Sequence, residues 1–447
     1  MRKTNFALAL LTAAALAACG GNGSSGGDQA LKTKFSAQVT FGDSLSDVGT
    51  YAVGGVAALK GGKFTINGDT TSTNPVMTGK NWTELMAAQF GLPAPCPAVT
   101  GLNGDASKGF SVPLTPHAGC YGYAMGGSRV SDPIGSNNAA TGSSLGALTI
   151  SVKQQIANHL AVSGGKFKGD EVVFVMAGGN DVLALLGQLS ADATKAGQAA
   201  FAQSLVSQLA AGAPNPATAA QAIGLALQTE SAKPGHTDAS VVTAAVTAAV
   251  MAGNTNAGSP AVYGPMVAKA QADAATAGNN YAAANGPALV AKMGGYGAEL
   301  AGLVKTQIVG NGANYVVVNN LPDVANTPSG KAQAASTQQL IVAMVDTFNA
   351  QLKAGLASEA KVLYVDLFTV SHDQVVNPAV YGLTNVTTPA CGPNALGTTS
   401  LACNSTNTLS GVDVSHYMFA DDIHPTPYEY SLVARYVAEQ MIVKGWL

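Results

Sequence analysis

The hydrophobic pattern along the chain divides into two kinds of segment. Four short β-branched runs stand out: residues 37–42 (AQVTFG), 171–176 (EVVFVM), 313–319 (ANYVVVN) and 361–367 (KVLYVDL). Their apolar positions do not alternate with polar ones, which predicts strands buried on both faces and hence a parallel sheet. The first run stops at Gly42-Asp43-Ser44, the second at Ala177-Gly178-Gly179-Asn180 and the third at Asn320-Leu321-Pro322-Asp323, all turn-forming sequences. Helical periodicity fills the intervals over residues 82–90, 148–160, 338–356 and 428–443. Alternating strands and helices predict a three-layer α/β fold.

Residues 183–310 break this rhythm. They are Ala-rich, with 30 alanines between 201 and 300, and carry few charges. Val242, Val246 and Val250 recur at i, i+4 and i+8 on one helix face. The segment leaves the chain directly after Asn180-Asp181, at the C-terminal end of a predicted strand, where open parallel sheets bind their ligands. The expectation is a helical insertion that caps the site; the plainer alternative is a helical insertion packed on the surface.

Charge narrows the functional classes. Lys plus Arg is 22 against 25 Asp plus Glu, a net charge of −3, which excludes a basic nucleic-acid surface. Charged residues are only 11% of the chain, but 47% apolar content argues against disorder. At the N-terminus, Arg2 and Lys3 precede an apolar run of 13 residues, 6–18. That is shorter than the about 20 needed to span a bilayer and has the layout of a secretory signal peptide over residues 1–18. Its end, Leu16-Ala17-Ala18-Cys19, resembles the bacterial lipobox, which implies that Cys19 is lipidated and becomes the new N-terminus. The alternative is cleavage after Ala-x-Ala with Cys19 incidental. Gly20 stands where Asp would retain such a lipoprotein at the inner membrane, so the resemblance implies the outer membrane. The Gly/Ser-rich start of residues 19–35 makes that stretch a flexible tether. Residues 36–447 then form one domain that carries the 183–310 insertion.

With Cys19 set aside, Cys96, Cys120, Cys391 and Cys403 remain. An even number in an exported chain points to disulfides, with three pairings open. The sequence-local one, Cys96–Cys120 and Cys391–Cys403, closes short loops rich in Pro, Gly and Asn and is favoured. No Cys/His spacing suggests a metal site.

The chemistry concentrates in a few turns. Phe41-Gly42-Asp43-Ser44-Leu45-Ser46-Asp47 puts a serine at the tip of a turn fed by a buried strand. Ser44 and Asp47 also have the spacing of a capping box, so Ser44 could instead cap a helix. Near the C-terminus, Asp421-Asp422-Ile423-His424-Pro425 offers a base and a carboxylate three residues apart, able to fix the imidazole tautomer. Asp422 is a poorer partner because an adjacent residue reaches the ring badly. Two glycine-rich turns, at 123–128 and 178–181, could add donors to a developing oxyanion, a backbone N–H and the Asn180 amide.

In this order the motifs resemble the GDSL (or SGNH) hydrolases, whose blocks supply Ser, Gly, Asn and His. The blocks here are Gly42-Asp43-Ser44-Leu45, Ala124-Met125-Gly126-Gly127, Gly178-Gly179-Asn180-Asp181 and Asp421-Asp422-Ile423-His424-Pro425. The resemblance implies a flavodoxin-like α/β/α sandwich and a serine esterase or lipase. Ser44, His424 and Asp421 would be catalytic, and Ser44, Gly127 and Asn180 would form the oxyanion hole. It implies an acyl ester or lipid substrate, and no metal or cofactor. Gly122 stands where the second block usually has Asn. Residues 377–391 further resemble bacterial secreted and autotransported GDSL esterases, here without the C-terminal β-barrel. Gly142-Ser143-Ser144-Leu145-Gly146 fits the G-x-S-x-G elbow, but no strand-like run precedes it. A non-catalytic surface lipoprotein that binds glycans or partners would lack part of the Ser/His/Asp set, which is complete here.

Overall fold

A computed structural model describes residues 32–68 and 78–447. The leader and Cys19 lie outside the described residues, as does most of the tether. Strands β1 (Gln38–Gly42), β4 (Val172–Met176), β5 (Tyr315–Asn319) and β6 (Val362–Val365) form a four-stranded sheet in the order β1-β4-β5-β6. All three pairings are parallel, with Gly42 opposite Met176 and Val175 opposite Val318. The C-terminal ends of the strands therefore share one edge of the sheet. A second pair, β2 (Val99–Asn103) and β3 (Ser111–Pro116), is antiparallel and was not anticipated. Its residues are largely exposed and include Gly101, Pro113 and Pro116, so it carries no hydrophobic period to detect.

The helices are α1 (Gly54–Ala58), α2 (Trp82–Gln89), α3 (Val152–Val162), α4 (Gly179–Ala211), α5 (Pro216–Ser231), α6 (Asp238–Met251), α7 (Pro260–Leu303), α8 (Pro328–Lys331), α9 (Ala335–Leu356), α10 (Leu367–Val376) and α11 (Pro427–Lys444). Side-chain alternation along β4 and β5 sorts the layers. Val172, Phe174, Met176 and Val317 face α2 and α11, where Trp82, Met86, Tyr430 and Val437 join them in one core. Val173, Val175, Val316 and Val318 face the other way and are fully buried. On that side the Phe41 ring meets His159 of α3 edge-on at 5.8 Å. The result is a three-layer α/β/α arrangement around a parallel sheet.

Two local details shape the loops at the sheet edge. Asn81 caps α2 by accepting from Thr83 and Glu84, and Glu84 returns a bond to the Asn81 N–H. Helix α3 starts at Val152, later than the periodicity suggested. The N–H groups of Val152 and Lys153 are taken up by the Arg129 and Val130 carbonyls, so the start of α3 is docked on that segment.

Residues Leu183–Leu289 make a second compact unit, smaller than the 183–310 stretch read from composition. By itself it is a helical cluster built on small residues: Leu205, Leu209, Ile223, Ala245, Val246, Ala249 and Ala270 are buried together. Val242 and Val250 pack against that cluster, as the helical stripe suggested. Asn254 ties the helices by donating to the Leu209 carbonyl at 2.7 Å. Among the described residues, no helix is long and apolar enough to cross a membrane. No group of three metal-ligating side chains is assembled among those residues either.

The cysteines pair as Cys96–Cys120 and Cys391–Cys403. The first holds the segment that bridges to β1 through Gly122, whose N–H bonds the Cys96 carbonyl. The second closes a loop that contains Ser400.

Candidate active site

The nucleophile turn begins with a close backbone approach. A Cβ on Gly42 would lie 2.3 Å from the Met176 carbonyl oxygen, so only glycine lets β1 and β4 meet here. Buried Gln155 of α3 then grips the Gly42 residue from both sides. Its Oε1 accepts the Gly42 N–H at 2.9 Å, and its Nε2 donates to the Gly42 carbonyl at 2.8 Å. Beyond Gly42 the chain turns tightly, with Ser46 N–H bonding the Asp43 carbonyl and Leu45 N–H bonding Asp43 Oδ1. No helix begins at Ser44; the next is α1 at Gly54. The capping-box reading of Ser44 and Asp47 therefore does not hold. Asp47 does other work: its Oδ1 accepts Gly49 and Thr50 N–H, and its Oδ2 accepts Gly126 N–H at 2.9 Å.

Asp47 thereby links the first turn to the second. Gly126 and Gly127 occupy the centre of a turn closed by Ser128 N–H on the Met125 carbonyl. Gly127 has φ +81°, and a Cβ there would lie 2.6 Å from the Ser136 carbonyl. The stretch before this turn runs beside β1, with Met125 N–H on the Gly42 carbonyl at 3.1 Å. After the turn, Ser128 is held twice. Its carbonyl accepts Asn180 Nδ2 at 3.0 Å, and its hydroxyl accepts Gln155 Nε2 at 3.2 Å. Asp181, next to Asn180 in the first turn of α4, takes Arg129 Nε and Val130 N–H at 3.0 Å each. The Ser44, Gly127 and Asn180 turns are thus tied to one another through Gln155, Asp47 and Ser128.

The histidine arrives from 380 residues downstream. Phe419 and Pro425 bridge, and Ala420 N–H bonds the His424 carbonyl, so residues 420–424 form a tight loop. Inside it Asp421 accepts the N–H groups of Ile423 and His424 and, from outside, Ser400 N–H at 2.7 Å. His424 Nδ1 lies 2.8 Å from Asp421 Oδ2, and His424 Nε2 lies 2.9 Å from Ser44 Oγ. Asp422 is exposed and offers only its carbonyl, to Ser329. The Phe64 ring lies 4.8 Å from the His424 ring and also contacts the site of Gly126, where a Cβ would collide with it. Thr65 Oγ1 donates to the Pro425 carbonyl and steadies the loop further.

Ser144 stands apart. It is exposed, it follows a short helical turn (Ala139–Thr141) rather than a strand, and its carbonyl accepts Asp105 N–H. Sequence reasoning missed Asp47, Gln155, Asp181 and Phe64 as parts of the site. Gln155 sat inside a helical period, and Asp181 was read only as part of a glycine-rich block. It also missed a second histidine–carboxylate pair, His372 Nδ1 to Asp323 Oδ2 at 2.7 Å.

The carboxyls around the turns are not alike. Burial would raise Asp421, but the His424 charge and the hydrogen bonds from His424 and Ser400 outweigh it and hold this carboxyl well below its ordinary range. Burial dominates at Asp43 and pushes it up to about 7, although the Leu45 N–H and the His424 charge oppose it. Asp47 and Asp181 are pushed up to about 6, again by burial. A carboxyl raised in the folded state adds stability that is fully present below its unfolded value and is lost as pH climbs through the folded one. Asp421 acts in the opposite sense: its contribution is present above the unfolded value, 3.8, and is lost as pH falls through the folded one. Stability should therefore peak near about pH 4 and decline toward pH 7. Asp43→Asn should flatten part of that decline. Unfolding free energy measured against pH checks this; a steady rise from pH 4 to 7 would contradict it.

Comparisons with known proteins bear on the family of the chain. The family described as GDSL-like lipase/acylhydrolase matches residues 39–284 and 271–437. A GDSL esterase/lipase named APG from Arabidopsis thaliana is 28% identical over 130 residues, which cover 27% of this chain and 37% of that protein. The anther-specific proline-rich protein APG of the same plant is 26% identical over 144 residues, covering 30% of this chain and 27% of that protein. Lipase 1 of Photorhabdus luminescens is 37% identical over 76 residues, 17% of this chain and 11% of its own. The chain thus spans little more than a third of the length of the first of these relatives and less of the other two. The family match, in contrast, runs from β1 to α11 and takes in the Ser44, Gly127, Asn180 and His424 turns, and on that ground the chain belongs to the GDSL-like lipase/acylhydrolase family.

Proposed function

We propose that the chain is a serine hydrolase that cleaves carboxylic acyl esters through an acyl-enzyme intermediate. The observation that carries this reading is the continuous contact from Asp421 through His424 to Ser44 Oγ. In the mechanism, His424 Nε2 takes the Ser44 proton as Oγ attacks the ester carbonyl. Asp421 keeps Nδ1 protonated and stabilises the imidazolium that forms. The oxyanion is stabilised by the Ser44 and Gly127 backbone N–H groups and by the Asn180 amide. Asn180 has two N–H bonds to give; one goes to the Ser128 carbonyl, which orients the amide and leaves the other for the oxyanion. His424 then protonates the leaving alcohol, and a water molecule repeats the sequence on the acyl-enzyme. Neither step calls on a metal or a cofactor.

Ser44→Ala should lower kcat on a simple ester by on the order of 10³-fold or more. Asn180→Ala should lower it by roughly 10²- to 10³-fold, the usual cost of one oxyanion donor. Steady-state kinetics on both variants checks the assignment, and undiminished hydrolysis by either one removes that residue from the site.

The location follows from the leader. We propose that residues 1–18 are removed, that Cys19 carries the lipid and that residues 19–35 tether the domain to a bacterial outer membrane. Mass analysis of the mature N-terminus should find a lipidated Cys19. A mature chain that begins elsewhere, or with an unmodified Cys19, refutes the anchor.

A further inference from the structure

A cavity of about 70 Å³ opens at the C-terminal edge of the sheet, several times the about 10–15 Å³ one water needs. Its walls include Leu45, directly after Ser44, and Ile423 and Pro425 on either side of His424. Most of the remaining lining is aliphatic or aromatic, with Met418, Leu432 and Val433 among it. Five polar side chains break the apolar surface: Asp323, Thr327 and Ser371, each hydrogen-bonded within the protein, and Glu429 of α11 and Gln374 of α10, which are 3% and 2% exposed.

Glu429 and Gln374 each keep one side-chain oxygen without a partner among the described residues. Glu429 sits in the first turn of α11, three residues after the cap Thr426, where a capping box would send its carboxyl back to the Thr426 N–H. That N–H bonds the Met418 carbonyl instead, so the carboxyl is free of the cap. Glu429 Oε2 and Gln374 Oε1 are both buried without a hydrogen-bond partner among the described residues. A buried orphan of this kind is costly, and here two of them belong to residues that line one cavity. Burial pushes Glu429 up to about 8, against a hydrogen bond from Gln374, so near neutrality it is a neutral acid with an O–H to donate. The two unpartnered oxygens therefore offer one donor and one acceptor in a largely apolar wall. A hydroxyl group matches both, because it accepts and donates at once. A carboxylate has no donor for Gln374, and a plain alkyl group leaves both oxygens unpaired.

We propose that this cavity holds the acyl group of the substrate and that Glu429 and Gln374 select acyl groups that carry a hydroxyl. The inference rests on the esterase reading above. The acyl side is chosen because the acyl group stays on Ser44 through both steps and gains from an enclosed pocket. The alcohol must leave and be replaced by water, which calls for an open side.

The test compares methyl esters of butanoic, hexanoic and octanoic acids with their 3-hydroxy and terminal-hydroxy counterparts, for the wild type and for Glu429→Leu/Gln374→Leu. In the wild type at least one hydroxy ester should exceed its plain counterpart by about 10²-fold or more in kcat/KM, since a site built to bond a hydroxyl discriminates strongly against its absence. The double variant should lose that preference while keeping hydrolysis of the plain ester. Its Tm should not fall, because both orphaned groups leave together. A wild type that shows no preference for any hydroxy ester overturns the proposal, whether or not the variant folds. So does a folded double variant that keeps the preference, the result expected if the pair only holds structural water. Failure to cleave any ester, plain or hydroxylated, would instead strike at the esterase reading itself.

Discussion

The Gln155 clamp on Gly42 is the contact on which the arrangement turns. One amide takes the N–H and the carbonyl of the last residue of β1 and reaches the Ser128 hydroxyl as well. Gln155 is fully buried, so losing it would strand backbone groups away from water. The Ser44 turn and the Gly127 turn therefore cannot shift independently. Asp47 fastens the same two turns a second time through Gly126, and Asn180 fastens the third through the Ser128 carbonyl. Placing donors before charge develops is what makes such a site effective, because little reorganisation remains when the oxyanion forms.

The histidine loop obeys a separate logic. It is assembled locally, with Asp421 accepting two N–H groups of its own loop, and then fixed from outside by Ser400, Thr65 and the Phe64 ring. Ser400 lies in the loop closed by the Cys391–Cys403 disulfide, and Cys391 N–H bonds the Ala420 carbonyl, so a covalent constraint outside the sheet supports the orientation of the carboxylate. The acidic groups divide accordingly. Asp421 is kept ionised by its partners, whereas burial favours the protonated form of Asp43 and Glu429. A chain with only 11% charged residues places several of its carboxyls around this one edge.

Much of this was legible from residues alone. The four sheet strands were visible because unbroken β-branched runs have few alternatives, and their ends named the turns that matter. Ser44, Asp421 and His424 stand together in the structure because their motifs sit at strand ends or in a stiff loop. The supporting side chains were not legible, for a physical reason: Gln155 and Asp47 act by pairing with backbone atoms 113 and 79 residues away, and no local pattern marks that. The β2–β3 pair was hidden because exposed strands with prolines have no period. The capping-box alternative at Ser44 is not realised, because the same Ser and Asp spacing serves a turn as readily as a helix start. The Ala-rich stretch was legible as helical, but no helix end marks the boundary at Leu289, since α7 runs on past it.

The central claim is that Ser44 is the nucleophile, poised by His424. Reaction with a fluorophosphonate, followed by peptide mapping, tests it most directly. The account predicts a single covalent adduct on Ser44, formed rapidly in the wild type and greatly slowed by His424→Ala. No adduct, or one on Ser144 or another serine, would contradict it.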